Sequence, residues 1–142
     1  MNLKLKLAFS CYVVNIIGMC IFGLIYVLNN EFMPFHADVI QTSWSELGKY
    51  QQILYLGMMR TEGAGFLATS LAMTILLLIP FRQKQVWSYW AITAIGLVEY
   101  LPTLIATFNV ARITPASPPW LAVLLGCVTL LIALFLALRS DH

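Results

Sequence analysis

LYLGMMRTEGAGFLATSLAMTILLLIP, residues 54–80, is an apolar run broken by only two charged side chains, Arg60 and Glu62. A bilayer's hydrocarbon core is about 30 Å thick and needs ~20 apolar residues in a helix to cross it. The run exceeds that length. Unpaired backbone amides in lipid cost several kcal/mol, and a helix satisfies its own, so the segment is predicted to be helical. Windows 7–28, 87–108 and 120–138 have the same character. The expected fold is therefore all-α and integral to the membrane, a bundle of four transmembrane helices forming one domain over residues 1–142. Such long continuous runs exclude a β-barrel, whose strands alternate apolar and polar residues.

Composition agrees. Hydrophobic residues make up 61% of the chain and charged residues 10%, against ~45–50% and ~25% in soluble domains. A net charge of +2, with the basic residues scattered, leaves no electrostatic footprint for nucleic acid. Cys11, Cys20 and Cys127 all fall inside apolar runs, where a thiol behaves as a small hydrophobe. No CxxC pair or Cys/His cluster has metal-ligand spacing, and no metal or other cofactor is predicted. Residues 7–28 are longer than the ~7–15 residue core of a cleavable signal, and Asn29-Asn30-Glu31 is no small-residue cleavage site. The segment reads as a retained anchor.

The connections orient the bundle. Lys4, Lys6, Arg82, Lys84 and Arg139 fall on one side, Lys49 and Arg112 on the other. Because cytoplasmic loops carry the excess of Lys and Arg, both termini are expected to be cytoplasmic. The setting is then a multi-pass inner-membrane protein with residues 29–53 and 109–119 extracytoplasmic. Phe81, Trp87, Tyr89 and Trp90 are expected to band one interface, and Phe32, Phe35, Trp44, Tyr50 and Trp120 the other. Pro34 breaks the chain, and Ser43-Trp44-Ser45-Glu46 fits a capping box, so a short interfacial helix is expected near 43–48. Ala64, Ala68 and Ala72 on the second span form a small-residue stripe. Ala122-Gly126 and Thr129-Ala133-Ala137 form others on the fourth, suited to close helix packing or to oligomer contacts.

Ionisable groups inside lipid are costly, which makes Arg60, Glu62 and Glu99 the candidate site. At ~1.5 Å per residue, Glu62 lies ~27 Å and Arg60 ~30 Å above Pro80, and Glu99 ~21 Å above Gln85. The three converge on the outer third of the membrane, beneath a roof of residues 32–50 that holds His36 and Trp44. Arg60 and Glu62 point ~200° apart on a regular helix, so only one faces Glu99 unless Gly63 and Gly65 loosen the turn. One reading is an Arg60–Glu99 pair that only fastens two helices. The other has Glu62 or Glu99 moving a proton while Arg60 holds an anionic or carbonyl group. Asn15 either bonds across helices or lines the same pocket. Tyr100 lies beside Glu99, and Pro102 is expected to kink the third span. His36 and His142 fall at opposite ends of the bundle, which argues against a haem held by two histidines.

Met58-Met59-Arg60-Thr61-Glu62-Gly63-Ala64-Gly65-Phe66-Leu67-Ala68, running on to Ile79-Pro80-Phe81-Arg82, resembles the second helix of small bacterial DoxX-like membrane proteins. The resemblance covers about a fifth of the chain. It implies a bacterial inner-membrane four-helix bundle, sometimes associated with redox or quinone-linked complexes. A further likeness is to sterol-isomerase and sigma-2-receptor bundles, where paired carboxylates act on a lipophilic amine or sterol. Glu62 and Glu99 stand in comparable places, but the histidine near the first carboxylate is missing.

Three functions follow as expectations. The first is a protein that binds a lipophilic small molecule or lipid in a polar-ended pocket near the outer leaflet, with Arg60, Glu62, Glu99, Tyr100, His36, Trp44 and Asn15 as binding candidates and Glu62 and Glu99 as the residues for any catalysis. The second is an accessory subunit, or homo-oligomer, packed through its small-residue stripes. The third, transport, is disfavoured by four spans without inverted repeats.

Overall fold

A computed structural model describes residues 2–140 of the chain. Four helices are long and apolar enough to cross a membrane: α1 (Leu3–Leu28), α3 (Lys49–Leu76), α4 (Val86–Ile113) and α5 (Trp120–Leu138). A fifth, α2 (Pro34–Ile40), lies between the first two of them. No strand occurs among the described residues.

Local chemistry explains the helix ends. The Asn2 side chain accepts the Leu5 N–H at 3.0 Å and starts α1. Gly48 precedes α3 and donates its N–H to Gln51 Oε1 at 3.0 Å. At the far end of α3 the ladder widens into a π turn over Leu77–Phe81 that contains Pro80, which has no N–H to continue an α-helix. The turn closes with Lys84 at φ 58° and the Gln85 N–H on the Pro80 carbonyl at 3.0 Å.

Pro34 corrects one expectation. It stands at the first turn of α2, where its fixed φ and missing N–H cost nothing, and so it begins a helix rather than only breaking the chain. The 43–48 helix shrinks to a single 3-10 turn, Trp44–Glu46. Its cap is present: the Ser43 N–H and hydroxyl both donate to Glu46 Oε2, at 2.9 and 2.8 Å. Those two bonds hold the Glu46 carboxyl below the ordinary carboxylate range.

The spans form a ring in which α1 packs between α3 and α5, and α5 packs between α1 and α4. The seam between α3 and α4 is the thinnest. Asn2 Nδ2 donates to the Ser140 carbonyl at 2.8 Å and Lys4 Nζ to that of Arg139 at 3.1 Å. Both chain ends therefore share one end of the bundle, called here the terminal end, with the 82–85 hairpin beside them. The other end is covered by α2 and the 3-10 turn and is called the cap.

α1 and α3 meet backbone to backbone. A Cβ on Gly23 would sit 2.8 Å from the Gly63 carbonyl oxygen, and one on Gly63 would sit 2.8 Å from that of Gly23. Gly63 thus serves packing, and α3 runs unbroken through Gly63 and Gly65 without the loosening considered above. α4 likewise continues through Pro102.

Two further expectations change. Phe81 and Tyr89 are fully buried, because the π turn swings Phe81 inward to meet Phe9, Tyr12 and Tyr89. Only Trp87 and Trp90 of that aromatic band face outward. The small-residue stripes also divide. Ala133 and Ala137 of α5 are buried, whereas Ala64 and Ala68 of α3 face out. Gly126 meets the Tyr100 ring inside the bundle, where an added Cβ would lie 2.6 Å from it.

Candidate functional site

The cap end holds a cavity of ≈ 240 Å³, lined by Tyr26, Phe35, His36, Val39, Ile40, Tyr55, Glu62, Ala106, Thr107, Val110 and Pro118. Its walls come from α1, α2, α3 and α4 and from the loop before α5. Its roof is α2, because the Pro34 start aims His36, Val39 and Ile40 down into the bundle.

Three lining groups give the cavity its chemistry. Tyr26 is only 3% exposed, and its hydroxyl has no hydrogen-bond partner among the described residues. That hydroxyl is open to the cavity, so a group entering there can bond it. Glu62 lies within electrostatic reach of Tyr26 on one side and of Glu99 on the other. His36 accepts the Met33 N–H on Nδ1 at 3.3 Å, which leaves Nε2 as the protonated nitrogen of the neutral ring. Its ring sits among Tyr26, Phe32 and Phe35, and burial there pushes the imidazole below its ordinary value.

Below the cavity, Glu62, Gly65 and Thr69 form one face of α3 turned toward Glu99 on α4. Thr69 Oγ1 donates to Glu99 Oε2 at 3.0 Å. A Cβ on Gly65 would lie 3.6 Å from Glu99 Oε1, so glycine there leaves the room this carboxylate occupies. The seam thus brings two carboxylates within electrostatic influence of each other, Glu99 partly buried against Thr69 and Glu62 exposed at the cavity.

Arg60 is not part of this group. It is exposed on α3 and has no ion-pair or hydrogen-bond partner among the described residues. Between the two candidates that helical geometry set at opposite faces, Glu62 is the one on Glu99's side, and the Arg60–Glu99 pair does not form.

The remaining candidates lie elsewhere. Asn15, 3% exposed, donates to the Cys11 carbonyl and to Thr129 Oγ1, both at 2.9 Å, and so links α1 to α5. Trp44 stacks edge-on against Phe32 at 5.1 Å and belongs to the apolar cap cluster with Tyr55 and Leu47. Tyr100 lines a second cavity of ≈ 150 Å³ with Gly18, Met19, Phe22, Phe66, Pro119, Ala122 and Val123. His142 lies outside the described residues. Among those residues no group of three His, Cys, Asp or Glu side chains is placed to hold a metal ion.

Sequence reasoning missed Tyr26, Tyr55 and Thr107. Tyr26 carried a usable signal, a phenol near the end of an apolar span one turn beyond Phe22. Tyr55 and Thr107 carried none, since aromatic and threonine side chains are common near span ends.

The class that fold and site define is an all-helical chain with four membrane-length apolar helices and an acid-bearing cavity under a helical cap. Compared with protein-family models, curated proteins and solved structures, the chain finds no match.

Proposed function

We propose that this chain is a bacterial inner-membrane protein that binds a lipophilic molecule or lipid by its polar head in the cap cavity. The termini then face the cytoplasm, and α2 and the 114–119 loop face outward, in line with the basic residues gathered at the terminal end. The resemblance of the second span to DoxX-like proteins fits that setting.

The observation that carries the reading is the cavity on which the Tyr26 hydroxyl, Glu62 and His36 converge, a hydroxyl that no side chain of the described residues engages. A ligand group able to hydrogen-bond would satisfy it, and would also meet the Glu62 carboxylate and His36 Nε2–H. The other lining side chains, Phe35, Val39, Ile40, Ala106, Val110 and Pro118, suit an apolar body.

The test is mass spectrometry of lipids that copurify with the protein. A discrete lipophilic species is expected with the wild type and falls about tenfold in Tyr26→Phe or Glu62→Gln, the loss of one good hydrogen bond to a charged or buried group. An extract identical across the three proteins refutes the reading.

A second reading, an accessory or self-associating subunit, has its own support. Gly57, Thr61, Ala64 and Ala68 lie exposed along one face of α3, and a Cβ on Gly57 would meet nothing within 4 Å. Such a face admits a close helix partner. Ala68→Leu lowers the particle mass in detergent if that face is an interface. Gly126→Leu is the wrong probe, since it strikes Tyr100 within the same bundle.

A further inference from the structure

The two cavities occupy successive levels of one interior. Phe22 lines the deeper cavity and Tyr26 the cap cavity, one turn apart on α1. Phe66 and Glu62 repeat that spacing on α3, Tyr100 and Thr107 stand two turns apart on α4, and Pro119 and Pro118 are neighbours. Gly18 and Tyr26, at the far ends, are eight residues apart, or ~12 Å along the helix.

A single aromatic layer divides the two spaces. The Phe22 ring lies 4.3 Å from Tyr26 and 4.9 Å from Phe66. Phe22 is only partly buried. Their linings differ in kind: Tyr26, His36, Tyr55, Glu62 and Thr107 bring polar atoms to the cap cavity, and only Tyr100 does so in the deeper one. Gly18, Pro119 and Ala122 are exposed, so the deeper cavity opens sideways between α1 and α5.

We infer that the cavities form one channel for a single-chain amphiphile, whose head sits among Tyr26, His36 and Glu62 and whose hydrocarbon tail passes Phe22 and leaves the bundle between Gly18 and Ala122. This rests on the cap-cavity reading above and adds the shape of the ligand, a linear chain rather than a compact molecule. The apolar walls, the side opening and the head-to-tail order of polarity all follow from the lining residues. A compact ligand would leave the deeper cavity unused.

Gly18 makes the idea testable, because it lines the deeper cavity and a Cβ there meets nothing within 4 Å, which leaves room to place a leucine at the side opening. Purified protein in nanodiscs is titrated calorimetrically with 1-monoacylglycerols bearing hexanoyl, decanoyl and tetradecanoyl chains. Wild-type affinity is expected to rise from hexanoyl to decanoyl. Gly18→Leu should keep the hexanoyl affinity and lose about tenfold for decanoyl, the worth of roughly two buried methylenes. Ala122→Leu, which blocks the same opening from α5, should do likewise and guards against a folding defect in the first variant. If both variants keep the wild-type rise with chain length, the tail does not run there, although the head site stands. If the wild type binds none of the series, the channel and the cap-cavity reading fall together.

Discussion

The terminal half of the bundle and the cap half are built from the same helices but solve opposite problems. Toward the termini, Ala8, Tyr12, Met73, Ile92, Ala133 and Ala137 are fully buried. The Tyr12 hydroxyl there meets Thr93 Oγ1 at 2.8 Å and donates to the Tyr89 carbonyl at 3.2 Å. Toward the cap, two cavities open and the hydroxyls of Tyr26 and Tyr100 have no partners among the described residues. Protein interiors are ordinarily close-packed with their polar groups paired. A half that leaves cavities beside a half that closes its core fits a division between stability at one end and the proposed binding at the other.

The contrast is broken most directly by volume changes. Ile92→Ala in the closed half should cost ~2–5 kcal/mol, the range for truncating a fully buried aliphatic side chain. Gly18→Leu in the cap half, though it adds three carbons beyond the first, should cost under about 1 kcal/mol because its site is open. Thermal unfolding in detergent, followed by near-ultraviolet circular dichroism, measures both. Similar losses for the two variants would erase the distinction between the halves.

A pair of tyrosines sharpens it. Tyr12→Phe removes two hydrogen bonds in a buried site and should cost about 1 kcal/mol or somewhat more. Tyr26→Phe removes a hydroxyl that bonds nothing in the protein, so stability should stay level or rise slightly while copurified lipid falls. Equal destabilisation by the two would mean that the Tyr26 hydroxyl has a protein partner after all.

The smallest expected effect is the pH response of the cap. His36 has a folded-state pKa below the ~6.5 of a free histidine, because burial disfavours its charged form. A depressed histidine binds fewer protons folded than unfolded, so its contribution is complete above ~6.5 and is lost as pH falls below that value toward the folded pKa. Protonation of Nδ1 would also remove the bond from the Met33 N–H. Hydrogen exchange of α2 amides should therefore quicken on acidification from about pH 7.5 to about pH 5.5, and His36→Gln should flatten the response. An α2 whose protection ignores pH in the wild type would remove His36 from the account.

The span count was legible because hydropathy is summed along the chain and needs no partner. The windows at 54–80 and 87–108 were nonetheless short. α3 starts at Lys49, where Gly48 caps it against the roof, and α4 runs on to Ile113. Those extensions lie among cap residues, where polar side chains end an apolar pattern but not a helix. α2 was missed because seven residues are too few to show a period, and Pro34 serves equally as a breaker or as a first-turn residue. The Glu62–Glu99 level was legible from helical rise alone.

Sequence by itself determined that this chain makes four membrane-length helices, that a charged level crosses two of them, and that the basic residues gather at one end, since length, rise and local charge are properties of single segments. Only the tertiary structure decided that Glu62 rather than Arg60 stands on Glu99's side, that Ala133 packs inward while Ala68 faces out, and that Tyr26 closes on a cavity. Those outcomes depend on how one helix is rotated against its neighbours. That rotation is set by contacts such as Gly23 on Gly63, which no single segment contains.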